Sequence, residues 1–210
     1  MNTFVQGIPI IVSAPSGAGK TSLLRAALPE MDWCELVVSH TTRDCRPGEV
    51  DGEDYHFVSE DRFLEMVNEG QFLEHANVYG NYYGTSKSAI ESIIARGNDA
   101  VLEIDWQGAQ QVRKLYDEHQ SIFVLPPSRQ SLMERLTSRA KDKLSVIERR
   151  MNQAIDEMSH YVEYDFLIFN DSFDEALVEL MAVFRSIRCQ GRFQVQHHAA
   201  LLNDLLGSNG

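Results

Sequence analysis

The chain has 210 residues, 43% hydrophobic and 24% charged, enough for one sizeable core with small inserted lobes and too apolar for a disordered chain. Its formal net charge of −12 excludes a general nucleic-acid or membrane binder, because affinity for a polyanion rests on a broad basic surface. Three widely spaced cysteines, Cys34, Cys45 and Cys189, exclude a disulfide framework or zinc site, no basic leader precedes the first apolar run, and no run nears the ~18 apolar residues of a membrane span; a cytoplasmic chain with reduced thiols is expected.

Ile8, Ile10, Ile11 and Val12 form a β-branched run that reads as a buried strand. It breaks into Ala14-Pro15-Ser16-Gly17-Ala18-Gly19-Lys20-Thr21-Ser22, which is the strand, glycine-rich loop, Lys-Ser/Thr, helix pattern of a phosphate-binding loop, with Ala14 replacing the first glycine of the strict form. Gly17 and Gly19 let successive N–H groups turn inward around an anion, and the helix from Lys20 to about Leu28 aims its unpaired N–H groups at the same spot. Lys20 adds a mobile full charge. Thr21 offers a hydroxyl to Mg²⁺, a hard cation that arrives with nucleotide phosphates.

Pro29 ends that helix, and Cys34 to Ser39 reads as a second strand. Thr41 to Asp54 is polar, holds Pro47-Gly48 and Asp51-Gly52, and predicts a loop open to a ligand. Tyr55 to Val58 suits a short strand, Ser59 an N-cap for a helix closed by Gly70, Phe72 to Ala76 a strand, and Gly80-Asn81 a tight hairpin turn. Strand and helix then alternate: helix Ser86 to Arg96, strand Ala100 to Ile104, helix Gly108 to Tyr116, strand Ile122 to Leu125. Parallel pairing follows from that alternation. Ser128 caps a helix through about Arg139, a second runs from about Ser145 to His160, Phe166 to Phe169 is the last strand, and Phe173 to Arg188 the last long helix before a weakly amphipathic tail.

One segment runs against the acidic balance. Residues 129 to 150 gather Arg129, Arg135, Arg139, Lys141, Lys143, Arg149 and Arg150 against only Glu134, Asp142 and Glu148, a density of cations that an anionic ligand would offset. Cys45 lies between Arg43 and Arg46 but is assigned no role; Trp106, Met133, His197 and His198 read as packing or tail residues.

Six motifs in order resemble the bacterial guanylate kinases, over almost the whole length from Ile8 to about Arg188. They are Ser13 to Lys20, then Ser39-His40-Thr41-Thr42-Arg43 with Arg46-Pro47-Gly48-Glu49, then Gly52-Glu53-Asp54-Tyr55, Gly80-Asn81-Tyr82-Tyr83-Gly84-Thr85, Glu103-Ile104-Asp105-Trp106-Gln107-Gly108, and Asn170-Asp171. The resemblance implies an α/β fold: a P-loop NTPase-like parallel sheet core flanked by helices, with an inserted GMP-binding lobe of mixed strands and a helical lid. It divides the chain into core 1–38, GMP lobe 39–88, core 89–128, lid 129–155, core 156–189 and tail 190–210.

The family also implies roles. ATP would meet Ala14 through Ser22 together with Asn170, and Mg²⁺ would reach Thr21 through the nucleotide. GMP would meet Ser39, Arg43, Arg46, Tyr55, Glu74, Tyr83, Thr85 and Asp105, with Arg43 and Arg46 on its phosphate, since planar guanidinium forks suit phosphate oxygens. Ser39 and Glu74 match the positions that read guanine, where a carboxylate accepts from the ring N–H and the exocyclic NH₂. Asp105 acts either on Mg²⁺ through water or on the shape of the GMP site. Lys20, Arg43, Asp105 and the lid arginines Arg135, Arg139 and Arg150 would serve the transfer itself. The implied partners are ATP and GMP, with no nucleic acid or membrane and with homo-oligomerisation left open. The lid departs from the family pattern, with Ala140 where a glycine usually follows the arginine and Lys143-Leu144-Ser145 replacing an acidic stretch. A catalytically silent relative that holds a phosphorylated peptide in the GMP lobe is the alternative; Lys20, Thr21 and the loop glycines argue against it.

Overall fold

The computed structural model describes residues 7–78, 80–139 and 144–207, and the side chains of 138, 139 and 144–149 fall outside that description. In chain order the elements are β1 (Pro9–Ser13), α1 (Lys20–Ala27), β2 (Cys34–Leu36), β3 (His40–Thr41), β4 (His56–Phe57), α2 (Glu60–Asn68), β5 (Phe72–Val78), β6 (Asn81–Ser86), α3 (Lys87–Ala95) and β7 (Asp99–Glu103). Then follow α4 (Trp106–Leu115), β8 (Gln120–Leu125), α5 (Arg129–Arg139), α6 (Leu144–Ser159), β9 (Phe166–Phe169), α7 (Phe173–Arg188), α8 (Gly191–His197) and α9 (Ala199–Leu205).

Five strands make a parallel sheet in the order β2-β7-β1-β8-β9. Its central strand β1 is buried along its whole length, because helices cover both faces. Side chains alternate across it: Ile10 and Val12 join Leu23, Leu24, Leu180 and Phe184 on one side, while Ile11 joins Ile90, Leu102, Val112 and Phe123 on the other. Truncating any of these isoleucines to alanine would cost about 2–5 kcal/mol, the range for emptying a packed core position.

The second sheet, β4-β3-β6-β5, is mixed: β3 runs parallel to β4 and antiparallel to β6. Under it lies a small aromatic core in which Phe63 stacks on Phe72 and Tyr82 at centroid distances of 4.5 and 5.4 Å. Helices α5 and α6 pack on each other through Leu132, Leu136, Met151 and Ala154. Among the described residues no helix is long and apolar enough to cross a membrane.

Most expected elements are present, including the caps at Ser59, which accepts from Arg62 N, and Ser128, which accepts from Ser131 N. Three differ. The strand expected from Cys34 to Ser39 stops at Leu36; Val37 N still bonds Val101 O, but Ser39 O accepts from His56 N, so the chain has already crossed to the second sheet. The hairpin turn lies one residue earlier than expected, since Asn81 pairs with Val78 inside the ladder; Gly80 takes the positive φ, and Tyr79 lies outside the described residues. Helix α4 starts at Trp106 rather than Gly108, because Asp105 is its N-cap and accepts from Gly108 N at 2.9 Å.

Candidate active site

The carboxyl ends of β1, β7 and β9 meet at one side of the parallel sheet, where open α/β sheets hold their ligands. A cleft of about 490 Å³ opens there and runs to the second sheet. Its walls include Ala14, Pro15, Ser16, Gly17, Gly19, Lys20 and Thr21 at one end, and Ser39, Arg43, Arg46, Tyr55, Glu74 and Tyr83 at the other, with Glu103, Asp105, Arg150 and Glu157 between.

The loop is built from backbone. Ala18 N donates to Pro15 O at 3.1 Å, and Gly17 and Gly19 take φ of 92° and 98°, which a side chain would oppose. Gly19 is doubly constrained, since a Cβ there would collide with the Asn170 amide. That amide, buried at 4% exposure, donates to Ala18 O at 2.7 Å. Arg135 reaches the same carbonyl at 3.4 Å and Asn170 O at 3.1 Å. Both residues, expected on the nucleotide, hold the loop backbone through these bonds. Lys20 Nζ donates to Ile104 O at 3.2 Å, and the Thr21 hydroxyl donates to the Glu103 carboxylate.

At the far end, Ser39 Oγ and Thr85 Oγ1 lie 2.9 Å apart, and Thr85 Oγ1 donates to Glu74 Oε1 at 2.5 Å. Glu74 reaches this position through a register shift between Phe72 and Glu74 in the β5–β6 ladder, the kind of bulge that re-aims a side chain. Gly108 leaves room for it, because a Cβ there would strike Glu74 Oε2. Burial pushes the Glu74 carboxyl up to about 7; the Thr85 hydrogen bond opposes that rise, Asp105 adds to it, and Lys20 lowers it. Thr85 itself is fully buried behind Glu74, so it orients the carboxylate rather than lining the cleft.

Arg43 is fixed before any ligand contact. Its guanidinium pairs with Glu49 Oε1 at 2.8 Å, donates to Asp44 O at 2.6 Å, and lies over the rings of Tyr55 and Phe57 at 5.5 and 5.6 Å. The other Glu49 oxygen accepts from Arg46 N at 2.8 Å, so one carboxylate sets the spacing of both arginines. Burial works to raise the Glu49 carboxyl, but the Arg43 and Arg46 contacts prevail and hold it below the usual range. Burial, and then the Glu103 charge, push the Tyr55 phenol well above its ordinary value, so it stays a neutral hydroxyl donor.

Of the residues singled out in the sequence, Ala18 and Ser22 also stay out of the cleft lining, Ala18 buried beneath the loop and Ser22 exposed on α1. The side chain of Arg139 lies outside the described residues, as do Ala140 to Lys143 and the side chains of Leu144 and Ser145. Sequence reasoning missed three carboxylates. Glu49 and Glu103 sat inside quoted motifs without a role, and Glu157 gave no signal, being one acid on an ordinary amphipathic helix. Glu103 had a legible sign: it ends a buried strand two residues before Asp105, where a charge has no structural purpose.

Among the described residues no cluster of three or more His, Cys, Asp or Glu could hold a metal. Thr21, Glu103 and Asp105 bring hydroxyl and carboxylate oxygens, the donors that hard cations prefer, to the cleft wall.

Comparison with known proteins agrees with this geometry. The guanylate kinase family model matches residues 6–187. The guanylate kinase of Hahella chejuensis is 54% identical over 198 residues, covering 94% of this chain and 95% of that one, and the guanylate kinase of Escherichia coli K12 is 54% identical over 204 residues, covering 96% and 98%. Among solved structures, the guanylate kinase from Anaplasma phagocytophilum superposes with a TM-score of 0.72 at 32% identity, over 89% of each chain. A phosphate loop joined by one cleft to a pair of fixed arginines and a buried carboxylate, within a family match that spans nearly the whole sequence, places this chain in the guanylate kinase family.

Proposed function

We propose that the protein transfers the γ-phosphate of ATP to GMP, and to dGMP, giving ADP and GDP in the cytoplasmic supply of guanine nucleotides. The observation that carries this reading is that one cleft has a complete phosphate loop at one end and the Ser39–Thr85–Glu74 chain at the other. We take 39–88 as the acceptor lobe and 129–155 as the lid on the donor.

At the acceptor end, Glu74 has lone pairs left after Thr85 donates to Oε1, and these suit the adjacent N1–H and N2–H of guanine. Adenine offers no such pair. The acceptor phosphate falls to Arg43 and Arg46, held by Glu49, with Tyr55 and Tyr83 as hydroxyl donors. No general base is needed, because a phosphate monoester loses its second proton near ~6 and its oxygen already attacks as an anion. Catalysis then reduces to aligning two polyanions and offsetting their repulsion. Lys20, one hydrogen bond from Ile104 O at the cleft floor, and Arg150 on the cleft wall are the cations placed to do so, with Arg139 as the further lid arginine. Mg²⁺ bound with ATP would neutralise phosphate charge beside Thr21 and Glu103. Asp105 caps α4 with one oxygen, a bond that favours the role of shaping the acceptor site.

A silent phosphopeptide module would have no use for Lys20, Thr21 and two glycines in positive φ, so nothing favours that reading. The test is ADP release by purified protein with GMP, dGMP, AMP and UMP in turn. Rates with GMP and dGMP far above the others are expected, and equal rates with AMP would overturn the acceptor assignment.

A further inference from the structure

Three consecutive loop residues are held from outside the loop. Ser16 N donates to Glu157 Oε2 at 3.1 Å, Gly17 packs under Leu132 and Leu136, and Ala18 O accepts from Asn170 and Arg135. The first two holds come from α6 and α5, which share one apolar interface, so the loop is tied to this helical pair. Only the Glu157 hold carries the same sign of charge as a phosphate. A backbone N–H can be satisfied by any carbonyl or hydroxyl, and a carboxylate beside an anion-binding loop opposes the ligand the loop is built for.

Glu157 shares its helix with Arg150. The two are seven residues apart, two turns or about 10 Å, on one face of α6, and both line the cleft. We propose that Glu157 is a positioning residue that ties α6 to the phosphate loop and gives up that bond to the polyphosphate of ATP, so that donor binding and the placement of Arg150 are one event. This rests on the loop being the donor site. Like-charge repulsion then drives the Glu157 carboxylate off Ser16 N as the triphosphate seats, which frees α6 to settle where Arg150, two turns away, meets the phosphates. Part of the binding energy of ATP goes into that displacement rather than into affinity.

The test is Glu157→Gln, which keeps the size and an acceptor oxygen but removes the charge. Calorimetry with a non-hydrolysable ATP analogue, ADP and GMP should show the ATP analogue bound about 5- to 30-fold more tightly, ADP tightened less because it brings less charge, and GMP within twofold of wild type, a span typical of coupling between sites. In steady state the KM for ATP falls while the KM for GMP holds. Glu157→Ala, which removes the tie altogether, should make the effect of Arg150→Ala on kcat several-fold smaller than in the wild type, since the two act through one helix. Unchanged or weaker ATP binding by Glu157→Gln would overturn the proposal, as would an equal loss for ATP and GMP, the mark of a merely structural residue. If the wild type itself bound no ATP, the donor-site reading would fall and take this proposal with it; normal wild-type binding without a gain in the variant sinks the proposal alone.

Discussion

The hydroxyl of Thr21 on α1 donates to the carboxylate of Glu103 at the end of β7, joining residues 82 apart in sequence at the middle of the cleft. Two oxygens of different charge thus face the place where a nucleotide-borne cation would sit. Glu103→Gln keeps an acceptor for Thr21 and removes the charge, so kcat should fall about 10²-fold, the scale for losing one preorganised electrostatic group, with GMP affinity within twofold. The Mg²⁺ concentration for half-maximal rate should rise as well. A Mg²⁺ titration of the variant checks this; a normal dependence would leave Glu103 as a hydrogen-bond partner of Thr21 alone.

Selectivity for guanine is assigned to Glu74. Glu74→Gln replaces one acceptor oxygen with a donor that faces the guanine N–H groups, and hydrogen bonds to a charged group are worth about 1.5–3 kcal/mol, so GMP affinity should drop roughly 10- to 150-fold. Thr85→Val, which removes the hydroxyl that orients Glu74, should show a smaller loss of the same kind. Competition between GMP and AMP measures both. A variant that loses rate but keeps its preference for GMP would move base reading elsewhere.

The same carboxyl gives a pH signature. Burial raises it from the ordinary 4.5 to about 7, so between those values the folded protein holds a proton that the unfolded chain has released. Stability contributed at this site therefore falls as pH rises from about 4.5 through 7, the reverse of an ion-paired carboxylate. Glu74→Gln should accordingly gain in Tm over the wild type at pH 8 and not at pH 4.5. GMP binding needs the ionised form, so calorimetry in buffers of different ionisation heat at pH 7 should find about half a proton released per GMP, against about a tenth from the nucleotide phosphate. No proton release beyond the phosphate share would show that Glu74 is already ionised.

Much of this site could be read from residues alone, and the reasons for the remainder are physical. The loop from Ala14 to Ser22 is legible because its glycines, lysine and threonine answer a local backbone geometry, whereas Arg43 and Arg46 were legible only through their register within the family motifs. Asn170 and Arg135 were given to the nucleotide, and their bonds to Ala18 O, across 152 and 117 residues of sequence, had no sign in the sequence. Such packing leaves no local pattern. Asp105 misled the reading of α4 for a related reason: a residue assigned to chemistry is also the cap that starts the helix. Glu74 was placed at guanine by the family resemblance alone, because the bulge at Phe72 and the space at Gly108 that turn it inward leave no local sign in the strand.

Two of the arginines proposed for the lid differ in their surroundings, and that difference is testable. Arg135 bridges Ala18 O and Asn170 O from behind the loop, whereas Arg150 stands on the cleft wall. Removing Arg135 leaves the Asn170 amide as the remaining tie on Ala18 O, so Arg135→Ala should lower Tm and weaken ATP about tenfold, with the loss in kcat following the loss in loop order. Arg135→Lys should not rescue it, because one ammonium cannot replace a planar fork spanning two carbonyls. Arg150→Ala should leave GMP affinity unchanged and lower kcat by about 10³-fold, the pattern of a cation that matters most as charge moves between phosphates. Thermal melts beside calorimetry and steady-state rates separate the two. If Arg135→Ala kept the wild-type Tm and ATP affinity and lost only kcat, Arg135 would belong on the phosphates after all, swinging from the loop backbone to the transferring group.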